Sequence, residues 1–534
     1  MPWPDIAGVI RVENAPAPGT SDSYSTPAPI GGLNSQDPIS AMPEQDAVVL
    51  ENWFPMPTYV AIRNGYTNWV TGLPGWCETL MAYGGLSRRQ LWGIVWDTTN
   101  NYGAIYNCTT QGAAPAATIT GLSNARFEYC NFGTPGGEYL VAANAADSVQ
   151  LYNGTTWQAV TGVSTPIAIT GVTTSTLRNP VGWKNRLWFV QDGSMNVWYL
   201  PTQQIGGAAQ SIALGSIFKL GGSIQSIVTA TVDSASIIDD YIGFLTTEGE
   251  LALYRGTDPA QAGLFNLVGV FRIGRPVGRR PWFKLGGDTV FLTSDGYSLL
   301  SKLIQVGEDN QADALSWKIQ NLVNIDVQAY FGNFGWQGTV YPLGNKVIIN
   351  VPVQERPTYS TATYQYVMNT ITNAWTKYTG WLASTFEVMG NQLFFGSQGY
   401  VALADYGFND NGATIVAKLK PAFSYFGTHN VKQFNMVRPV FQVNGSITPL
   451  ISLNVDFQDN PPQGNPLSLS SAGEPWNVGA WNTSPWGLGD VIQRNWMSIP
   501  GTGNAASAYL IASTNSAFVR LASFDWVFEQ GGLF

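Results

Sequence analysis

The chain has a single histidine, His429, set in Gly427-Thr428-His429-Asn430. A serine or cysteine nucleophile needs a base within hydrogen-bond reach. One histidine between polar loop residues reads as a structural or surface side chain instead. The patterns GxSxG, GxxxxGK[ST] and HExxH are all missing, so serine-hydrolase, P-loop and zincin chemistry have no carrier. Glycoside hydrolysis needs only two carboxylates, and Asp192, Asp239, Asp240, Asp295 and Asp405 form the pool for it. Asp192-Gly193 and Asp295-Gly296 fall where hairpin turns require such pairs, and the turn reading outweighs the catalytic one. Asp405, Asn409, Asp410 and Asn411 offer oxygens of the kind calcium takes, at a spacing unlike an EF-hand loop. A turn is expected there as well. Cys77, Cys108 and Cys130 are odd in number and widely spaced, with no CxxC or Cys/His cluster. They read as three buried thiols of a protein folded in a reducing cytoplasm, and imply neither a disulfide framework nor zinc. No catalytic residue, metal or cofactor is therefore assigned, and an enzyme is not expected.

One charge cluster stands out in a chain with few charges: Arg272, Arg275, Arg279 and Arg280. It reads either as a solvated loop or as a contact to an acidic neighbouring subunit or to phosphates in a lumen. Charged residues are only 11% of the chain and the net charge is −9. Wrapping a duplex requires cations that displace phosphate counterions, so a DNA-wrapping role is excluded for the chain as a whole. A wall past which DNA slides without sticking is compatible with the charge. The low charged fraction suits a surface that meets protein over much of its area. No apolar stretch reaches the ~18 residues of a membrane-spanning helix. The opening MPWPDIAGVI lacks the basic and apolar regions of a Sec signal.

These residues sit on a degenerate repeat. Its unit is an aromatic-rich strand, a tight Gly, Asn or Asp turn, and a second apolar strand. Asn185-Arg186-Leu187-Trp188-Phe189-Val190, Asp192-Gly193, Val197-Trp198-Tyr199-Leu200 is one example. Units start near residues 89, 138, 185, 240, 288, 345 and 391. Four-stranded propeller blades repeat at about 40–50 residues and bury their faces by stacking around an axis. The pattern allows five to eight blades. The fold class expected is all-β, a β-propeller with a second antiparallel β domain.

Four segments follow. Residues 1–32, rich in Pro, Ala, Ser and Thr, are a floppy tail or an extended arm that orders on a neighbour. Residues 33–74 are an N-terminal segment with a short helix: Pro43 and Glu44-Gln45-Asp46 resemble a first turn, and Ala47, Val48, Leu50 and Trp53 offer an apolar face. Residues 75–410 are the propeller. Residues 411–534 are a C-terminal β domain, possessing longer alternating strands and completed on one reading by the N-terminal segment. It includes a stretch with Trp476, Trp481 and Trp486, read as turn and interface residues.

The run Gly31-Gly32-Leu33-Asn34-Ser35-Gln36-Asp37-Pro38, followed by Met42-Pro43, Asp46-Ala47, Leu50-Glu51-Asn52-Trp53-Phe54-Pro55 and Arg63-Asn64-Gly65-Tyr66, resembles the opening of podoviral tail nozzle proteins. That family is also described as tail tubular protein B, DNA-stabilisation or tail accessory factors. The ending Phe524-Asp525-Trp526-Val527-Phe528-Glu529-Gln530-Gly531-Gly532 agrees with it. The resemblance implies a structural virion protein, a β-propeller in a six-copy ring below the portal's adaptor. Such a ring extends the DNA channel, retains packaged DNA and anchors tail fibres or a needle. Genomic DNA would pass through the lumen without sequence-specific binding. The implied location is the virion tail, assembled in the host bacterial cytoplasm. The family has no catalytic residue to carry over. Two rivals remain, a carbohydrate-active propeller enzyme and a host-binding tail adhesin. The enzyme would need convergent carboxylates in a pocket at the propeller axis.

Overall fold

The computed structural model describes residues 21–531, apart from 86–87, 235–236, 262, 307–310, 359–362, 446 and 464–490. The chain is all-β, a propeller joined to a pair of packed sheets. Each blade is an antiparallel meander. In blade three, Leu177–Trp183, Arg186–Gln191, Asn196–Tyr199 and Gln210–Ala213 pair in succession. Its middle strand is buried on both faces, which is why Leu187, Trp188, Phe189 and Val190 run without polar interruption. The turn before it, Lys184-Asn185, has φ of 47° and 57°. Two left-handed residues make the hairpin turn whose twist matches the flanking strands. Asn345 and Asn391 take the same left-handed conformation before their strands. Asp240 does not, because it lies within the strand Ile237–Thr246.

Among the described residues seven such blades close a ring, and blade one joins the second half of Tyr66–Gly84 to Arg89–Asp97, Tyr102–Asn107 and Ile119–Leu122. Blade two runs from Glu128 to Val160, blade three from Leu177 to Ala213 and blade four from Ile224 to Arg272. Blade five has three strands, Trp282–Leu285, Asp288–Thr293 and Gly296–Leu299, and ends in the helix Leu300–Val306. Blade six spans Gln337–Thr379 and blade seven Thr385–Ala404. Seven apolar clusters alternate with the blades. Met81, Trp92, Leu140 and Tyr152 fill the space between blades one and two. Trp188, Val190, Ile242 and Phe244 fill that between three and four. Leu91, Val95, Phe394 and Val401 join seven to one. The 19-residue strand Tyr66–Gly84 makes that closure: its first half pairs with Gln398–Ala404 of blade seven, and its second half pairs with Arg89–Asp97 of blade one. A ring closed by one strand shared between its first and last blades leaves neither with an unpaired seam.

The strands after residue 410 pair with strands from the N-terminal segment, one of which also touches blade six. The outer strand of blade six, Trp375–Thr379, touches Asp46–Glu51 in parallel through Glu51 and Lys377, and Asp46–Glu51 pairs with Ile415–Pro421. Blade six therefore runs directly into the second sheet pair. The facing sheet carries Lys432–Val443 and Val519–Gln530, and Val519–Gln530 also pairs with Asp22–Pro27 and Val60–Ile62. One apolar core continues from Val290 and Val347 in the blades to Phe434, Phe524 and Trp526.

The short helix expected within 33–74 is absent; residues 46–51 and 53–55 are strands. Pro43 accepts a turn hydrogen bond from the Asp46 N–H at 2.9 Å. A lone helix of two or three turns is marginal by itself. Here strand partners from residues 375–379 and 415–421 satisfy the same backbone on both edges. That pairing spans hundreds of residues and leaves no local mark.

Candidate functional site

The propeller axis is crossed by charge. The inner strands or their approaches contribute Glu78, Glu128, Arg178, Gln225, Arg280, Gln337 and Glu387, one per blade from the first to the seventh. Arg280 reaches four other blades or their leads. Its guanidinium donates to Gln337 Oε1 at 3.0 Å, Thr385 Oγ1 at 3.0 Å, Thr79 Oγ1 at 3.1 Å and the Phe127 carbonyl at 2.7 Å. Glu128 accepts from Arg178 and Arg279, each at 3.3 Å, and from the Asn179 N–H at 3.2 Å. Glu78 faces Arg356 at 3.1 Å and Arg126 at 3.5 Å. Arg126 also grips Glu355 at 2.6 Å. Charges this enclosed are tolerated only when paired.

The titrations follow from this enclosure. Burial pushes the Glu387 carboxyl up to about 7, against the opposing effect of a 2.6 Å hydrogen bond from the Tyr129 hydroxyl and of nearby Arg280. Burial lowers Arg178 and Arg280 below the ordinary guanidinium value, with Glu128 acting in the other direction on both. At Glu355, burial is the largest single effect and raises the carboxyl, but the Arg126 hydrogen bond, the Phe334 N–H and the charges of Arg126 and Arg356 together outweigh it and hold the carboxyl low. A cavity of about 160 Å3 is lined by Glu128, Tyr129, Arg280, Trp282 and Glu387. Two carboxylates on one cavity, one of them raised by burial, could serve as an acid/base pair. Here Glu128 is held by two arginines and Arg280 lies across the space between blades, so the network is first of all a brace.

The arginine cluster expected at an interface or lumen divides. Arg272 is exposed at the end of the outer strand of blade four. Arg275 is 57% exposed, 3.5 Å from Glu248. Arg279 turns inward to Glu128 and the Asn144 carbonyl. Arg280 is enclosed at the axis, and the surface it keeps faces the cavity. The Nη donors of Arg280 are spent across the ring rather than at an outer face. Because that one side chain bridges several blades, the axis itself holds no bore for a duplex.

The aspartate pool is scattered. Asp192 pairs with Arg178 at 3.0 Å, Asp240 with Lys184 at 2.6 Å and Asp405 with Lys346. Asp295 caps a turn with Ser294. The Asp239 side chain lies outside those described. None of the four others lines the axial cavity. Asp410 opens the expected turn, accepting from the Ala413 N–H at 2.9 Å, and its side chain also takes a bidentate contact from Arg63 at 2.8 and 2.6 Å; Asn409 accepts from the Gly412 N–H. His429 is exposed and lies 4.2 Å from the Tyr425 ring in a tilted contact. All three cysteines are free; burial pushes Cys77 up, and Cys108 and Cys130 up to about 12, values too high for a reactive thiolate. Trp476, Trp481 and Trp486 lie outside the described residues.

The axial carboxylates escaped the sequence reading. Their signal was present: Glu78, Glu128, Arg178, Arg280 and Glu387 recur at intervals close to the blade repeat, inside or beside otherwise apolar strands. Charge in phase with a repeat points at whatever all the repeats share, and in a propeller that is the axis.

No protein-family profile matches the chain, and no curated protein matches it. Among solved structures, BBS1N in complex with ARL6DN shares 9% identity, covering 64% of this chain and 96% of that one, with a TM-score of 0.32. YCF48 bound to D1 peptide shares 9% identity over 68% of this chain and 98% of that one, at a TM-score of 0.30. A glycoside hydrolase family 43 arabinoxylan arabinofuranohydrolase from Bacillus subtilis shares 10% identity, covering 87% and 96%, at 0.24. Nothing about activity passes from likenesses at this level to this chain.

Proposed function

We propose that this chain is the nozzle subunit of a short-tailed phage, a structural protein of the virion tail that assembles in the bacterial cytoplasm. The observation that carries the reading is where the nozzle-like opening residues lie. Asn34 donates to Asp46 at 2.7 Å, and Asp46 accepts from Lys318 at 2.8 Å. Asn52 donates to Thr379 Oγ1 and to the Val416 carbonyl, each at 2.8 Å, and accepts from Arg63 at 2.8 Å. Arg63 continues to Asp410 and the Thr379 carbonyl. The motif is thus the bolt between blade six and the second sheet pair. Such a bolt suits a part that transmits load as one rigid body. With the axis braced by Arg280, a DNA channel would lie between copies arranged around a common axis, closed by repeated side-to-side contacts. Native mass spectrometry and negative-stain microscopy of the protein mixed with a portal–adaptor assembly test this. Six copies docking as a ring support it; a chain that stays monomeric and ignores the adaptor sinks it.

One observation favours a second reading, a carbohydrate-active propeller. Glu128 and Glu387 share the axial cavity, and Glu387 has the raised carboxyl of a general acid. Release of sugar from polysaccharide, lost in Glu387→Gln, would carry that reading; inertness toward a panel of glycans would remove it.

A further inference from the structure

A second hollow of about 300 Å3 is lined by Arg126, Arg275 and Arg279 with Phe331 and Phe334, and among the described residues by no carboxylate. In a chain of net charge −9 this is a concentrated positive mouth. The carboxylates that partner these arginines, Glu78, Glu128, Glu248 and Glu355, are not among the residues that line the hollow. Arg275 is loosely held, and Arg279 spends only Nε and Nη2 on its partners among the described residues. Arg279 makes contacts of 3.3 to 3.4 Å with Glu128 and the Asn144 carbonyl. Arg275 approaches Glu248 only at 3.5 Å. A guanidinium carries five N–H donors and keeps its charge at any working pH. Donors of Arg275 and Arg279 therefore remain unspent beside an open space.

Aromatic faces orient the forks. Arg275 lies 5.3 Å over the Phe331 ring and Arg126 lies 4.6 Å over the Phe334 ring. Stacking fixes the guanidinium plane and leaves its edge to donate, and an apolar backing strengthens attraction for an anion. Arg126 enters from the lead into blade two, and Arg275 and Arg279 from the link between blades four and five. Cations converging from different directions match a tetrahedral dianion better than a planar carboxylate, which one fork would satisfy.

We infer that this mouth is a binding site for a phosphate group, either free phosphate or the phosphate of a monoester such as a nucleotide. The site stands apart from the tail reading, because its argument uses no property of a ring.

The test titrates inorganic phosphate and a nucleoside monophosphate into the full chain at low ionic strength, with chloride at matched ionic strength as the control. Calorimetry and thermal shift are the readouts. Saturable binding is expected, weakened about tenfold in Arg275→Gln and lost in Arg275→Gln/Arg279→Gln. Arg279→Lys, which keeps a charge toward Glu128, retains part of the affinity and controls for folding. Tighter binding of the monophosphate assigns a monoester ligand; equal binding assigns the free ion. No saturable binding to the wild-type chain overturns the site. So does unchanged affinity in a double variant whose circular dichroism matches wild type, or binding of an acidic peptide where both phosphates fail.

Discussion

Blades two to four and the seam joining blade six to the second sheet pair use the same strand chemistry in opposite ways. In the blades, neighbours in sequence are neighbours in space: Trp188 meets Tyr199 at 5.0 Å and Phe244 at 6.1 Å. Apolar and aromatic side chains fill their clusters. At the seam, partners lie far apart along the chain: Arg63 meets Asp410, and Asn52 donates to the Val416 carbonyl at 2.8 Å. Polar bonds of buried groups decide the pairing there. The contrast teaches that local repetition stabilises each blade, whereas a few specific hydrogen bonds select which distant strands join. Apolar contact tolerates many partners; a buried arginine tolerates only those that satisfy it.

The largest expected effect is at the seam. Arg63→Ala leaves Asp410 and Asn52 without their buried partner and is expected to cost about 3–5 kcal/mol. Hydrogen exchange would quicken in Asp46–Glu51 and Ile415–Pro421 while Arg186–Gln191 stays protected. Equal loss of protection everywhere would break the comparison by showing one cooperative unit. Next comes the axis. The Glu387 carboxyl titrates near 7 in the folded chain and near its ordinary value once unfolded. Protonated, it is compatible with its enclosure; ionised, it is not. Its contribution to stability is therefore complete below the ordinary carboxylate range and is lost as pH rises through about 7. Thermal melts from pH 4.5 to 8 should show that decline, worth about 2–3 kcal/mol, and Glu387→Gln should flatten it. A decline of equal size in the variant would reassign the effect to other groups.

Within the regular blades a single methylene should matter less. Ile242→Val, fully buried between blades three and four, is expected to cost about 0.5–1.5 kcal/mol, with denaturation midpoints as the measure. A loss above ~3 kcal/mol would sharpen the contrast in the other direction, making blade packing as unforgiving as the seam. The smallest change belongs to Lys184→Ala. Its pair with Asp240 is 36% and 40% exposed, and exposed pairs contribute ~0–1 kcal/mol. A shift in melting temperature beyond scatter would contradict that ranking.

The difference between the two regions also explains what was readable. The starts near 185 and 345 were visible because an Asn in the left-handed turn and a run of buried apolar residues are both local signals. The axial brace was partly readable: Arg279 and Arg280 were noticed for their density, but their direction was not. Adjacent residues on a strand lead can face rim and axis, and only the blade positions decide which. The residues 46–55 were misread because an apolar face of a few residues serves a helix or a strand equally.

By itself, then, the chain determined its strands, turns, repeat period and all-β class, because those depend on short-range sterics and on which residues leave water. It also determined that charge is scarce and recurs with the repeat. Tertiary structure alone decided the seven-fold closure through Tyr66–Gly84, the joining of blade six to both chain ends, and the meeting of Glu128, Arg280 and Glu387 at one axis. The reason is geometric. A strand declares its faces in sequence but not its edges, and every one of those decisions was made at an edge or at the common centre of the ring.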